Sequence, residues 1–174
     1  ILPELYDLLK NDPRFEATVL DLKTLSEQGR VKYSPGYQDT GYFINKFAPT
    51  TDEESDLLGD MWLNHRQNMY IIRLADTYLL EAEALGGTGA RAQALLDAVR
   101  SRVGLPSIQV SLATVLAERR LELAGEGHRW FDLRRNELLS TKLSSRGFVS
   151  GKHDIFPIPF KELENTKLVQ NPNY

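Results

Sequence analysis

The sequence predicts a mainly α fold in which a tetratricopeptide-like helical hairpin and further helices carry long irregular loops and a short β-hairpin. Three observations predict it. Ile71, Leu74, Ala75, Tyr78, Ala82 and Leu85 follow the three- and four-residue steps of one helix face. Ala92, Leu95, Leu96, Val99 and Val103 repeat that stepping. A third run passes through Leu112, Val115, Leu116 and Leu123.

Taken in chain order, Leu2 to Leu9 reads as a short helix. Asn11-Asp12-Pro13 ends it, because the residue before a proline is pushed out of the α region. Val19 to Leu25 reads as extended. Gln28 to Thr51 is rich in Gly, Pro, Tyr, Thr and Asp, the composition of loops with room for a hairpin. The first long helix ends at Gly86-Gly87-Thr88-Gly89, and the second at Gly104 and Pro106. Ser111 is the expected N-cap of the third helix, which runs toward Gly125 and Gly127. Residues 129–139 continue as helix after a bend. Pro157 and Pro159 impose an extended run, Phe160 to Asn165 forms a short helix, and Asn171-Pro172-Asn173 turns the end.

The first two long helices fit a degenerate tetratricopeptide template. Ile71, Leu74, Ala75 and Tyr78 hold the spacing of W-x2-L-G-x2-Y, and Ala94, Ala98 and Pro106 that of the second half. There is no second copy. Such units bury their faces on neighbours, so this hairpin must pack either on residues 1–65 and the tail or on further repeats.

Composition narrows the function. The 174 residues are 41% hydrophobic and 26% charged, as in ordinary globular domains. A net charge of −3 offers no broad cationic field, so nucleic acid is not an expected partner. There is no cysteine, which excludes disulfides and thiol chemistry. No apolar run approaches the roughly 18 residues of a membrane span. The chain opens Ile1-Leu2-Pro3, without methionine, so the lack of a targeting signal says nothing about the parent protein.

The most distinctive stretch is Glu118-Arg119-Arg120-Leu121-Glu122-Leu123-Ala124-Gly125-Glu126-Gly127-His128-Arg129-Trp130-Phe131-Asp132-Leu133-Arg134-Arg135. Arg119 lies on the apolar stripe of the third helix and must point toward the core. A buried guanidinium needs carboxylates, because an unpaired buried charge costs several kcal/mol. Glu122, Glu126 and Asp132 are the expected partners, with Arg120 in the same ion-pair network and Trp130 and Phe131 beside it as apolar area. Glu126 and His128 could be named as acid and base, but nothing orients them. His65, His128 and His153 are too scattered for a metal site. The reading assigns no catalytic residue, no metal and no cofactor.

The 118–135 stretch resembles the hallmark block of the SusD/RagB family almost residue for residue. Other segments resemble the family in the right order: Asp12-Pro13-Arg14 with Ala17-Thr18; Gly41-Tyr42 with Lys46-Phe47; Arg73-Leu74-Ala75-Asp76; Glu81-Ala82-Glu83-Ala84; Ala98-Val99-Arg100-Ser101-Arg102-Val103-Gly104; Phe156-Pro157-Ile158-Pro159; and Gln170-Asn171-Pro172-Asn173-Tyr174. Leu74, Ala98 and Asn173 depart from the usual Tyr, Asn and Gly, and the hairpin turn is short and glycine-rich.

The resemblance implies a lipid-anchored protein on the extracellular face of the outer membrane, with no enzymatic activity. Such a protein binds oligosaccharide nutrients, or peptides in some members. It delivers them to a SusC-like TonB-dependent transporter. It also implies that this chain is the C-terminal portion of a SusD-like domain, the lipid anchor lying elsewhere in the parent. Within it, 1–65 is the loop-rich segment, 66–139 the helical scaffold with the hairpin at 71–103, and 140–174 an extended tail.

Sugars are held by aromatic platforms and by polar side chains that fork onto hydroxyls. Trp62, Tyr37, Tyr33, Asn64 and Arg66 are the candidate ligand-binding residues, with Trp62 the leading stacking surface. The competing reading makes these aromatics a small core under a long loop. It is favoured for Tyr42 and Phe43, and it stands level with stacking for Trp62 and Tyr37. A capture protein should therefore expose aromatics near residues 33–66. A helical-repeat scaffold that only docks proteins should bury them. A hydrolase would need paired carboxylates in a cleft, with supporting residues that the sequence lacks.

Overall fold

The structure, a computed structural model, describes residues 1–49, 53 and 65–174. It divides into two units, Ile1–Gly127 and His128–Tyr174. The fold is mainly α.

The first unit begins with α1 (Pro3–Leu9), which has proline in its first turn, where the missing N–H costs nothing. α2 (Phe15–Thr18) leads into β1 (Val19–Asp21), which is followed at once by α3 (Leu22–Glu27). The expected extended run over 19–25 is therefore cut to three residues. The Asp21 carboxylate accepts from the Thr24 N–H at 2.9 Å and so caps a helix where the apolar pattern suggested a strand. β2 (Tyr42–Ile44) pairs antiparallel with β1, in the register Val19 to Ile44, Leu20 to Phe43 and Asp21 to Tyr42. The hairpin expected within residues 28–51 thus takes only its second strand from that stretch. Tyr42 stacks on Tyr6 at 4.0 Å, beside a small core of Leu9, Val19 and Ala124.

α4 (Leu74–Ala84) and α5 (Gly89–Ser101) form the helical hairpin, and α6 (Leu112–Glu122) packs on it. Leu79, Ala82, Ala92, Leu95, Leu96, Val99, Val110 and Val115 form its core. The expected stripe of α4 holds in its middle, where Ala75, Tyr78 and Ala82 pack on the core, and fails at its ends, where Leu85 is exposed. Ile71 and Leu74 are 74% and 64% exposed, while Asp76, Leu79 and Ala82 are buried. Arg73 is extended rather than helical, and its side chain reaches Glu122 at the end of α6 and Glu126 just past it, so the helix starts only at Leu74.

The end of α4 is a double hydrogen-bonded turn. Gly87 N–H donates to Ala82 O at 2.9 Å, and Gly86 N–H to Glu83 O at 2.8 Å, around Gly86 at φ 70°. Gly87 has a second constraint. A Cβ there would lie 2.2 Å from the Leu112 nitrogen, so the turn sits directly on the start of α6. Ser111 caps α6 reciprocally with Thr114, at 3.1 and 2.8 Å.

In the second unit, α7 (Arg129–Arg135) and α8 (Leu139–Leu143) replace the single helix expected over 129–139. The chain closes α7 with Glu137 at φ 57°, which no α-helix continues. The 140–174 tail is not simply extended. It carries the end of α8, a 3₁₀ turn at Ser144–Arg146 and α9 (Phe160–Leu163). Trp130 packs near Phe148 and Phe156, at 6.1 and 6.2 Å between rings, whereas Phe131 is 63% exposed.

Candidate ligand-binding loop and the charge network behind it

The last turns of α6 gather charge from four parts of the first unit. Glu118 and Glu122, one helical turn apart, are both buried. Arg14 reaches both carboxylates, at 2.6 and 2.9 Å, and also forks onto Asp12 with two contacts of 2.7 Å. Glu118 also accepts from Arg100 at 2.7 Å. Glu122 accepts from Arg73 at 2.6 Å and from Arg102 at 2.9 Å. Glu126 accepts from Arg73 at 2.7 Å and from Lys46 at 2.6 Å. Lys46 also donates to the Glu122 carbonyl at 2.7 Å.

Arg119 is buried on another side of α6. It meets Asp76 at 2.8 Å and Glu83 at 3.7 Å, both on α4. The sequence reading named neither residue as its partner. Arg120 lies at the surface and pairs with Glu4 at 2.7 Å. Asp132 is buried in the second unit and pairs with Arg135 at 2.7 Å. Of the five residues expected in one network, Glu122 and Glu126 share Arg73, while Arg119 and Arg120 leave α6 in different directions.

The electrostatics follow from burial and pairing. Burial alone would raise Glu122, but the hydrogen bonds from Arg73 and Arg14 outweigh it and hold the carboxyl below its ordinary range. Glu126 is held down in the same way by Arg73 and Lys46, against its own burial. Burial also opposes Asp12, and Arg14 overcomes it. The Lys46 ammonium is pushed down by burial despite Glu126. These groups face one another, each carboxylate answered by at least one cation. The arrangement is a brace.

The brace clamps residues 12–14 and Lys46, on either side of the β1–β2 pair. In the chain, the loop from Tyr33 to Tyr42 lies between these anchors. Tyr37 stands at its tip, 94% exposed. Tyr33 is half-buried, its ring edge-on to Phe43 at 6.1 Å, and its hydroxyl donates to Asp39. Tyr37, Gln38, Asp39, Thr40, Tyr42 and Phe43 line much of an open groove of about 450 Å³. Phe43, expected under the loop, is 38% exposed on this groove, while Tyr42 is packed as expected. Arg66 is exposed, and its N–H donates to Glu53 O at 2.8 Å. Trp62 and Asn64 lie outside the described residues.

Gln38, Asp39 and Thr40 were missed by the sequence reading. Asp39-Thr40-Gly41 was their signal, because an aspartate bonding the N–H two residues on is a common turn former, and Gly41 N–H donates to Asp39 at 2.7 Å. The second unit has its own aromatic cleft, about 590 Å³, lined by Trp130, Phe148, Phe156 and Tyr174 with Arg146 and His153. Among the described residues no group of acidic or histidine side chains could hold a metal ion, and no helix is long and apolar enough to cross a membrane.

Three comparisons bear on these features. The sequence profile of the SusD family matches residues 6–174. A SusD-like protein of Formosa agariphila is 31% identical over 164 residues, 79% of this chain and 32% of that protein. Among solved structures, a laminarin binding SusD-like protein matches with a TM-score of 0.95 and 66% identity, over 99% of this chain and 38% of that one. Surface glycan-binding protein A from Bacteroides thetaiotaomicron, in complex with laminarihexaose, matches with a TM-score of 0.84 and 32% identity, over 98% of this chain and 40% of that one. The chain thus spans about two-fifths or less of the length of these relatives.

Proposed function

The chain belongs to the SusD family, and from that premise we propose that its parent protein captures a laminarin-type glycan at the cell surface without chemically altering it. The observation that carries the reading is Tyr37. Its ring, 94% exposed at a loop tip, shares one open groove with Phe43, 38% exposed, and contiguous exposed aromatic surface of this kind marks an interaction site where a single exposed ring would not. Beside it the groove offers the Gln38 amide, which can fork onto sugar hydroxyls, and the Thr40 oxygen, which gives its proton to Ile1 O at 2.6 Å and can still accept from a sugar hydroxyl. The ring supplies the stacking face. A docking scaffold would have buried this ring. The 66% identity to a laminarin binding relative favours laminarin over a peptide or another glycan.

In this reading the protein is lipid-anchored on the outer face of the outer membrane and passes the glycan to a SusC-like TonB-dependent transporter. The charged brace is inert framework, and Trp62, Asn64, Tyr33 and Arg66 are further candidates for ligand contact. Calorimetric titration of the intact protein with laminarihexaose, with maltohexaose as control, tests it. Tyr37→Ala should weaken laminarihexaose binding at least about tenfold, in line with loss of a buried aromatic anchor. Equal binding of both sugars, or wild-type affinity in the variant, refutes the reading.

A further inference from the structure

The loop that presents Tyr37 is organised around one carboxylate. Asp39 N–H donates to Gly36 O at 3.3 Å, closing a β-turn with Tyr37 and Gln38 at its centre. Gln38 has φ 56°, while Tyr37 is not among the residues of positive φ. That is the pattern of a type II turn, whose second central position favours glycine. A glutamine there is strained, and strain of this kind persists where the surroundings over-determine it.

Asp39 supplies the surroundings. One carboxylate oxygen accepts from Gly41 N–H at 2.7 Å. The other accepts from Gly36 N–H at 3.2 Å and from the Tyr33 hydroxyl. The three donors lie before, within and after the turn, so a single side chain ties both arms of the loop together.

We propose that Asp39 is a positioning residue for glycan capture: it pre-orders the Tyr33–Tyr42 loop so that the Tyr37 ring is already in place to stack on a pyranose ring. The inference rests on the reading that Tyr37 contacts the glycan. Ordering a loop before binding removes an entropy cost that would otherwise be subtracted from affinity. Internal donors take three of the roughly four acceptor sites of the Asp39 carboxylate, so its main action is through Tyr37. The Tyr33 hydroxyl, hydrogen-bonded to Asp39, has its pKa pushed up to about 12 and keeps its donor proton at neutral pH. The same bond, with those from Gly41 and Gly36, holds the Asp39 carboxyl below its ordinary range, so it stays an acceptor.

A double-mutant cycle on the intact protein tests this, with calorimetric titration of laminarihexaose. Asp39→Asn should weaken binding about tenfold, and Tyr33→Phe, which removes one of the three bonds, roughly threefold. In a Tyr37→Ala background Asp39→Asn should change affinity by less than about twofold, because the group it positions is gone. Amide exchange at Gly36 and Gly41 should quicken in Asp39→Asn, with the thermal midpoint little changed. The proposal is overturned if Asp39→Asn binds within about twofold of wild type while Tyr37→Ala is impaired. It is also overturned if the two losses simply multiply, or if Gly36 and Gly41 exchange at the wild-type rate. Wild-type affinity in Tyr37→Ala overturns it by a separate route, through the failure of the glycan reading itself.

Discussion

Glu122→Gln is the change that most directly strains the brace. The Glu122 side chain is 1% exposed and accepts from Arg14, Arg73 and Arg102. Removing one partner of a buried ion pair typically costs about 3–5 kcal/mol, because the other charge is left uncompensated. Here the remaining cations are not all stranded. Arg14 keeps Glu118 and Asp12, and Arg73 keeps Glu126. Arg102 is 56% exposed and can turn to water, so its pair contributes at most about 1 kcal/mol. The expected loss is therefore at the low end, about 3 kcal/mol. Urea denaturation of the intact protein, followed by circular dichroism, measures it. The pH dependence provides a second check. The Glu122 carboxyl is depressed in the folded state, so its contribution is full above the ordinary carboxylate range and disappears as pH falls through the depressed value. The wild type should lose stability on acidification more steeply than Glu122→Gln. A loss under about 1 kcal/mol, or identical acid slopes, would refute the argument that burial makes these pairs structural.

Three further predictions use the same structure. Arg120→Ala should cost less than about 1 kcal/mol by denaturant titration, because Arg120 and Glu4 are 26% and 58% exposed; a large loss would mean that exposure misjudges the network. Gly87→Ala should lower stability by more than about 2 kcal/mol, since the new Cβ meets the Leu112 backbone nitrogen at 2.2 Å and φ is 65°; a thermal midpoint equal to wild type would contradict this. Ser111→Ala should cost about 1 kcal/mol through loss of the α6 cap, and Ser111→Asp should restore most of it.

Helices α5 and α6 were legible because their apolar stripes face a core and end at capping residues. Ala92, Leu95, Leu96 and Val99 are buried where the spacing put them, and Ser111 caps where its position before Leu112 suggested. The start of α4 was not legible. Met69, Tyr70, Ile71 and Ile72 are apolar yet 72%, 54%, 74% and 74% exposed, and periodicity carries no mark that separates such a surface from a core. What sets the helix start is Arg73, held extended by carboxylates some fifty residues away in sequence. The partners of the brace were hidden for the same reason. That α6 needed charge compensation followed from Arg119 on an apolar stripe, but Asp76, Arg14 and Lys46 reach α6 only through tertiary contacts. In the loop, Tyr37 could be named as an aromatic among turn residues. The role of Asp39 depends on three donors that only the folded turn brings together.

A crystal structure of the intact protein with laminarihexaose would test the central claim, that rigid charged framework presents an aromatic loop to sugar. The account predicts a pyranose face lying on Tyr37, with the Asp39 hydrogen bonds and the Arg14, Arg73 and Glu122 contacts unchanged from their unliganded positions. Sugar bound elsewhere with Tyr37 bare, or a brace that rearranges around the ligand, would contradict it.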